Sequence, residues 1–114
     1  MAPSILTSTK KVLGLDEGYD AFDADIITFI NSALSVLDQL GVGAEGGFFI
    51  TGPEEVWDDL NLPDNQLNLV RTYLFLRVRM LFDPPTTSFL LSAWEKQLEE
   101  YEYRLRTFVE TATP

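Results

Sequence analysis

Hydrophobic residues recur at intervals of three and four along most of the chain. This spacing predicts four helices, at about residues 5–13, 21–40, 64–82 and 87–110. The third is apolar on nearly every side, which is typical of a helix at the centre of a bundle. The fourth carries one apolar seam, formed by Leu91, Trp94, Leu98, Tyr101, Leu105 and Phe108. The pattern therefore predicts an all-α fold, a small bundle of about four helices.

Residues at the predicted helix ends agree with these boundaries. Ser4 is a suitable N-cap for the first helix, because its hydroxyl can accept a hydrogen bond from the first turn. Gly14 and Gly41 fit the left-handed position that follows a helix. We expect Asp64 or Asn65 to cap the third helix.

The segment between the second and third long helices, residues 42–62, is rich in glycine and has no helical repeat. Within it, residues 47–51 fit a short strand or a buried tether, and residues 54–60 fit one or two helical turns after Pro53. Three aromatic side chains either pin this segment to the bundle or form a contact site for another molecule. They are Phe48, Phe49 and Trp57.

The composition limits the chemistry. A chain of 114 residues with 46% hydrophobic residues fits one domain over residues 1–114. Without cysteine or histidine it can form no disulfide, thiolate nucleophile, Ser-His-Asp triad or histidine-ligated metal site. The acids at positions 16–25 lack the glycine and glutamate positions of a calcium-binding loop. We expect no enzyme activity, no cofactor and no metal.

The sequence also gives expectations about where the protein is located in the cell. No run of about 18 apolar residues is present, so we expect no membrane span. The first residues lack the cationic and apolar regions of a secretory signal, so we expect the protein in the cytoplasm of the cell that makes it.

Charge is distributed unevenly. The chain has 18 acidic and 8 basic residues, a net charge of −10, and residues 12–70 contain no lysine or arginine. A chain this acidic does not bind nucleic acid by bulk electrostatics, which requires cationic side chains. It favours a basic partner surface instead.

Three arginines stand out in the apolar third helix: Arg71, Arg77 and Arg79. They are the natural partners of the acids in the first half, within this chain or in another copy. Because a buried ion pair is costly unless it is well satisfied, we expect them at the margins of the bundle or at a protomer interface. Phosphate binding is the functional alternative.

The end of the fourth helix is a second candidate contact site. A helix of about 23 residues is about 35 Å long, so its far end is expected to overhang the bundle. Tyr103, Arg104 and Arg106 lie there and are candidates for contact with another chain. Glu102 and Arg106 have the spacing of a favourable ion pair on one helix.

Several segments taken together resemble the phage head–tail connector, or adaptor, proteins. These are residues 5–15, the Phe-Asp-Ala-Asp-Ile-Ile pattern at 22–27, residues 37–43, and residues 78–91 around Asp-Pro-Pro-Thr-Thr-Ser. The resemblance covers about residues 5–108 and rests on the order and spacing of the segments, none of which is catalytic.

The resemblance implies a virion structural protein built as a small helical bundle. Such connectors form a homo-oligomeric ring, expected to match the twelvefold portal protein, and join the DNA-filled capsid to the tail or to a stopper. The genome would pass through the ring without sequence-specific binding, and a loop can line that channel. The protein is then expected at the head–tail interface of the virion, after assembly in the host cytoplasm.

The alternative from another class is an acidic helical regulator, either a DNA mimic or an inhibitor of a basic partner. A DNA mimic needs carboxylates arrayed along one face. Many acids here lie instead at predicted helix starts, where the helix dipole already favours them.

Overall fold

Four α-helices form most of the part of the chain that the structure describes, and the predicted all-α bundle is confirmed. The computed structural model describes residues 3–43 and 47–112, with the side chains of 110–112 excepted. The helices are α1 (Ile5–Val12), α2 (Asp23–Gln39), α3 (Asp64–Phe82) and α4 (Ser88–Ala112), with a short 3-10 helix at Trp57–Leu60. Within the described ranges, no helix combines the length and apolarity needed to cross a bilayer.

The third helix is central, as its all-round apolar pattern predicts. It packs along both α2 and α4 and also touches α1, whereas no comparable contact joins α2 to α4. Four of its side chains are wholly buried: Val70, Tyr73, Leu74 and Val78. The other helices each bury one face on it, and the core is completed by the segment between α2 and α3.

The ends of α1 and α2 follow the sequence signals. The Ser4 hydroxyl accepts a hydrogen bond from the Thr7 N–H at 3.2 Å. Gly14 and Gly41 have φ angles of 82° and 84°, the left-handed conformation that lets the chain leave a helix without a Cβ clash.

The expected cap of α3 is wrong. Pro63 takes the capping position, and no side chain caps the helix there. Asp64 lies in the first turn, where its charge still complements the helix dipole. The Asn65 amide oxygen instead accepts from the neighbouring Gln66 N–H at 3.0 Å.

The segment between α2 and α3 is a tether and not a strand over its described residues. Ile50 is buried, and the Asn31 side chain of α2 accepts from its N–H at 2.8 Å and donates to its carbonyl at 3.0 Å. Helical structure starts at Trp57 and not near residue 54, because the Glu55 carbonyl accepts from the Ile5 N–H at 3.0 Å in extended pairing.

The expected overhang of the far end of α4 is wrong for its described side chains. Leu105 is fully buried, and Val109 lies against Gly41 at the end of α2. The exposed apolar side chains are instead at the α3–α4 turn, where Leu81 is half exposed and Phe89 is 85% exposed. Val109 and Gly41, two residues after the end of α2, are in contact near the far end of α4, whereas Phe89 in its first turn is exposed.

Candidate functional site

The structure separates the three aromatic residues of the segment between α2 and α3. Trp57 is only 2% exposed, and its ring meets the Phe75 ring edge-on, with 5.6 Å between the two ring centres. Its indole N–H donates a hydrogen bond to the Ser8 hydroxyl at 3.3 Å. Phe48 is half-buried beside a small cavity in the core. Phe49 is 58% exposed. Trp57 therefore anchors the segment, and Phe49 is its outward-facing aromatic side chain.

The position of Phe49 follows from its neighbours. The Asn31 side chain holds the backbone of Ile50 from both sides, and the Ile50 side chain fills the core. Gly47 turns the chain with a φ angle of 83° beside the Asp38 carboxylate. With Ile50 turned inward, the exposed Phe49 ring is presented on an ordered backbone.

The three arginines of α3 have different surroundings. The Arg71 guanidinium lies 5.3 Å from the centre of the Trp57 ring, and that of Arg79 lies 5.8 Å from the centre of the Trp94 ring. Both distances are typical of cation–π contacts. Arg77 lies 3.6 Å from the Glu102 carboxylate of α4. Arg71 and Arg77 are half-buried, whereas Arg79 is exposed.

The expected intramolecular pairing of these arginines with acids of the first half is wrong. Among the described residues, the ion pairs are Arg77 with Glu102 and Lys10 with Asp23. The other two arginines lie over aromatic rings, which holds their side chains without neutralising their charge. Pairing with the acids of another copy stays a prediction.

A polar cluster joins α3 to α4 inside the bundle. The Tyr73 hydroxyl donates to Glu102 at 2.7 Å, beside Arg77. Burial, and then the hydrogen bond to the Glu102 carboxylate, raise the pKa of Tyr73 above its ordinary value. The Arg77 Nε is buried without an acceptor in the described part of the chain. Glu102 thus faces α3 and does not form the expected pair with Arg106.

The predicted contact residues near the end of α4 are exposed. Tyr103 is 69% exposed, and Arg104 and Arg106 are exposed as well. Arg104 borders a shallow cavity between α3 and α4 that Tyr101 also lines. These side chains are available for contact, although this end of α4 does not project from the bundle.

An apolar surface at the α3–α4 turn was missed in the sequence analysis. Phe89 and Leu90 in the first turn of α4 are exposed, and Leu90 lines an open groove between the two helices. One signal was available. Residues 89–91 are three successive apolar residues, and a single buried stripe can cover only some of them.

The described residues include no group of three or more acidic side chains placed to hold a metal ion. The prominent surface features are an exposed phenylalanine, an apolar groove and exposed arginines. Features of this kind are typical of surfaces that contact other proteins. They describe a small helical protein whose exposed apolar and basic side chains are candidates for contact with other proteins.

The comparison with protein families agrees with this class. The model of the phage connector protein family matches residues 5–112 of the 114-residue chain. The chain therefore belongs to the phage connector protein family and is a structural component of phage particles, which confirms the resemblance seen in the sequence. No curated protein and no solved structure shows a significant match to it.

Proposed function

We propose that this connector protein forms a closed ring beneath the portal protein and joins the DNA-filled capsid to the tail or to a stopper protein. The family match over residues 5–112 carries this proposal. A ring of about twelve protomers would match a twelvefold portal and requires two different complementary faces on each protomer.

The charge distribution supports a ring that surrounds DNA. Residues 12–70 carry twelve acidic residues and no basic residue. A channel lined by part of this segment would repel DNA phosphates, so the genome could move through without sequence-specific binding. Assembly takes place in the host cytoplasm, and the mature protein lies at the head–tail interface of the virion.

The protein acts in this proposal through its surfaces alone, without catalysis and without a cofactor. An acidic regulator is the weaker candidate. Of the acids near the start of α2, Asp23 is half-buried and paired with Lys10, which removes it from any continuous array of exposed carboxylates.

The first experiment measures the native mass of the purified protein over a concentration series, with electron microscopy of any large species. We expect closed rings of about twelve protomers. A persistent monomer would exclude spontaneous ring formation and would require assembly on the portal.

Phage particles made without the protein then test the role itself. We expect DNA-filled heads that lack tails, and tailed particles when the protein is supplied again. Infectious tailed particles formed in its absence would show that the proposed function is wrong.

A further inference from the structure

An open groove with mostly apolar walls lies between α3 and α4. Its volume is about 620 Å³, and Val12 at the end of α1 closes one side. Aromatic and aliphatic side chains form most of its wall: Phe75, Leu76, Leu90, Trp94 and Tyr101. A groove of this composition binds an apolar side chain.

The charge around the groove is basic. Arg79 lines it directly, and no aspartate or glutamate is among its lining residues. Arg104 lines a smaller cavity that shares Thr72 and Tyr101 with the groove. The exposed Glu100 of α4 does not line the groove and accepts a hydrogen bond from Gln97, which does. The groove therefore favours an apolar group with acidic neighbours.

Such a group lies elsewhere on the same chain. Phe49 is an exposed ring, and the backbone of the next residue, Ile50, is hydrogen-bonded to Asn31 of α2. Asp38 lies beside Gly47 on one side of it, and Glu54 lies beside Gly52 on the other. Both carboxylates are exposed. Phe49 with Asp38 and Glu54 forms what we call the acidic knob.

We infer that the acidic knob of one copy docks into the α3–α4 groove of the next copy in the proposed ring. The Phe49 ring contacts Trp94 and Leu90 of the neighbour, and its flanking carboxylates face Arg79 and Arg104. The inference rests on the proposed function, because a ring requires such a repeated contact. Knob and groove are different surfaces, so the contact is heterologous and can close into a ring.

The pre-ordered backbone around Phe49 strengthens the contact. Asn31 already holds Ile50 in place, so docking costs little loop entropy. Buried aromatic side chains supply most of the binding energy at such interfaces, and complementary charges fix the orientation of the two partners.

Disulfide cross-linking tests the contact directly, because the natural chain has no cysteine. One batch carries Phe49→Cys and a second, distinguished by a tag, carries Ala93→Cys in the groove. We expect mixing under mild oxidation to give a disulfide-linked heterodimer. Ser92→Cys is the matched control, since Ser92 is the exposed neighbour of Ala93 but does not line the groove. It should cross-link far less.

A second measurement uses the concentration at which half the protein is assembled. Phe49→Ala should raise this concentration on the order of tenfold, while Phe49→Leu should restore part of the loss. Phe49 is mostly exposed, so thermal unfolding of the purified Phe49→Ala variant at low concentration should stay close to that of the natural chain.

Three outcomes would overturn the inference. In the first, rings form, but the 49–93 disulfide does not, and Phe49→Ala leaves assembly unchanged. The proposed ring would then be correct, but its protomers would meet through another interface. In the second, a thiol at position 93 in assembled rings still reacts with a soluble reagent, which leaves the groove open for a portal or tail protein. In the third, the chain stays monomeric at every concentration and mixing the two cysteine variants gives no disulfide-linked heterodimer. The connector role is then tested by the particle experiment alone.

Discussion

Lys10 of α1 links the acidic stretch at residues 16–25 to the helical bundle. Its side chain is only 3% exposed, its ammonium lies 2.9 Å from the Asp23 carboxylate, and it donates to the Glu17 carbonyl at 2.9 Å. Both contacts compensate the loss of water around the charge. The neighbouring Lys11 is exposed, so the two adjacent lysines of α1 have different roles.

We therefore expect Lys10→Ala to lower the free energy of unfolding by about 1–3 kcal/mol, because it leaves Asp23 without its partner. Urea unfolding measures the change. Lys11→Ala is the matched control and should change the free energy of unfolding by less than about 0.5 kcal/mol. Equal effects of the two substitutions would show that the ion pair adds nothing to stability.

At the scale of elements, the contact between α3 and α4 combines apolar packing with a partly buried polar cluster. Tyr73 and Arg77 of α3 both meet Glu102 of α4. Tyr73 lies at the middle of α3, Arg77 one turn later, and Glu102 in the second half of α4. The cluster therefore fixes the register of α4 on α3, and with it the geometry of the groove between them.

We expect Tyr73→Phe to lower the free energy of unfolding at neutral pH by about 1–2 kcal/mol, since the hydroxyl bond to Glu102 is lost. The pKa of Tyr73 is raised in the folded protein, so its contribution is complete below the unfolded value of about 10 and is lost as pH rises above it. The free energy of unfolding of Tyr73→Phe, measured in urea, should therefore fall less steeply than that of the natural chain as pH rises above about 10.

Tyr103→Phe provides the control for this prediction, because Tyr103 is exposed on the outer side of α4. It should change neither the stability at neutral pH nor the alkaline slope attributed to Tyr73. If Tyr73→Phe also leaves both unchanged, the cluster does not hold the two helices together.

At the scale of the whole molecule, charge is unevenly distributed along the chain. Residues 12–70 carry acids and no lysine or arginine, whereas every arginine lies in α3 or α4, where exposed acids such as Glu95 and Glu99 are also present. The three arginines of α3 all make contacts within their own protomer, but Arg79 is the exposed one of the three and is therefore best placed to meet another copy. The predicted role of the three arginines at a protomer interface stays a prediction, and Arg79 is the first residue at which to test it.

Charge reversal at this position tests the electrostatic part of assembly. We expect Arg79→Glu to raise the concentration for half-assembly on the order of tenfold at low salt, because like charges then meet across the interface. Added salt should weaken assembly of the natural chain and partly rescue the variant. Sedimentation over a salt series measures both effects.

Lys96→Glu is the matched control, because Lys96 is an exposed cation of α4 that does not line the groove. It changes the net charge by the same amount as Arg79→Glu. Identical assembly curves for the two variants would show that only net charge matters, and not the position of Arg79.

Much of the fold is determined by local sequence pattern. The periodic apolar positions predict all four helices, and the bounds of α3 agree with the structure to the residue. Ser4, Gly14 and Gly41 mark helix ends because capping depends on groups within one turn. A count of charged residues is enough to show that the first half of the chain is acidic. The order and spacing of the segments that resemble the connector proteins point to the family.

Only the tertiary structure decided which polar and aromatic residues are buried. Trp57 bonds to Ser8, 49 positions away, and Tyr73 to Glu102, 29 positions away. Phe49 and Trp57 are both aromatic residues of the same glycine-rich segment, yet Phe49 is exposed on the surface and Trp57 is buried in the core. Helical periodicity reports neighbours three or four positions apart, whereas burial and ion pairing depend on which distant elements meet.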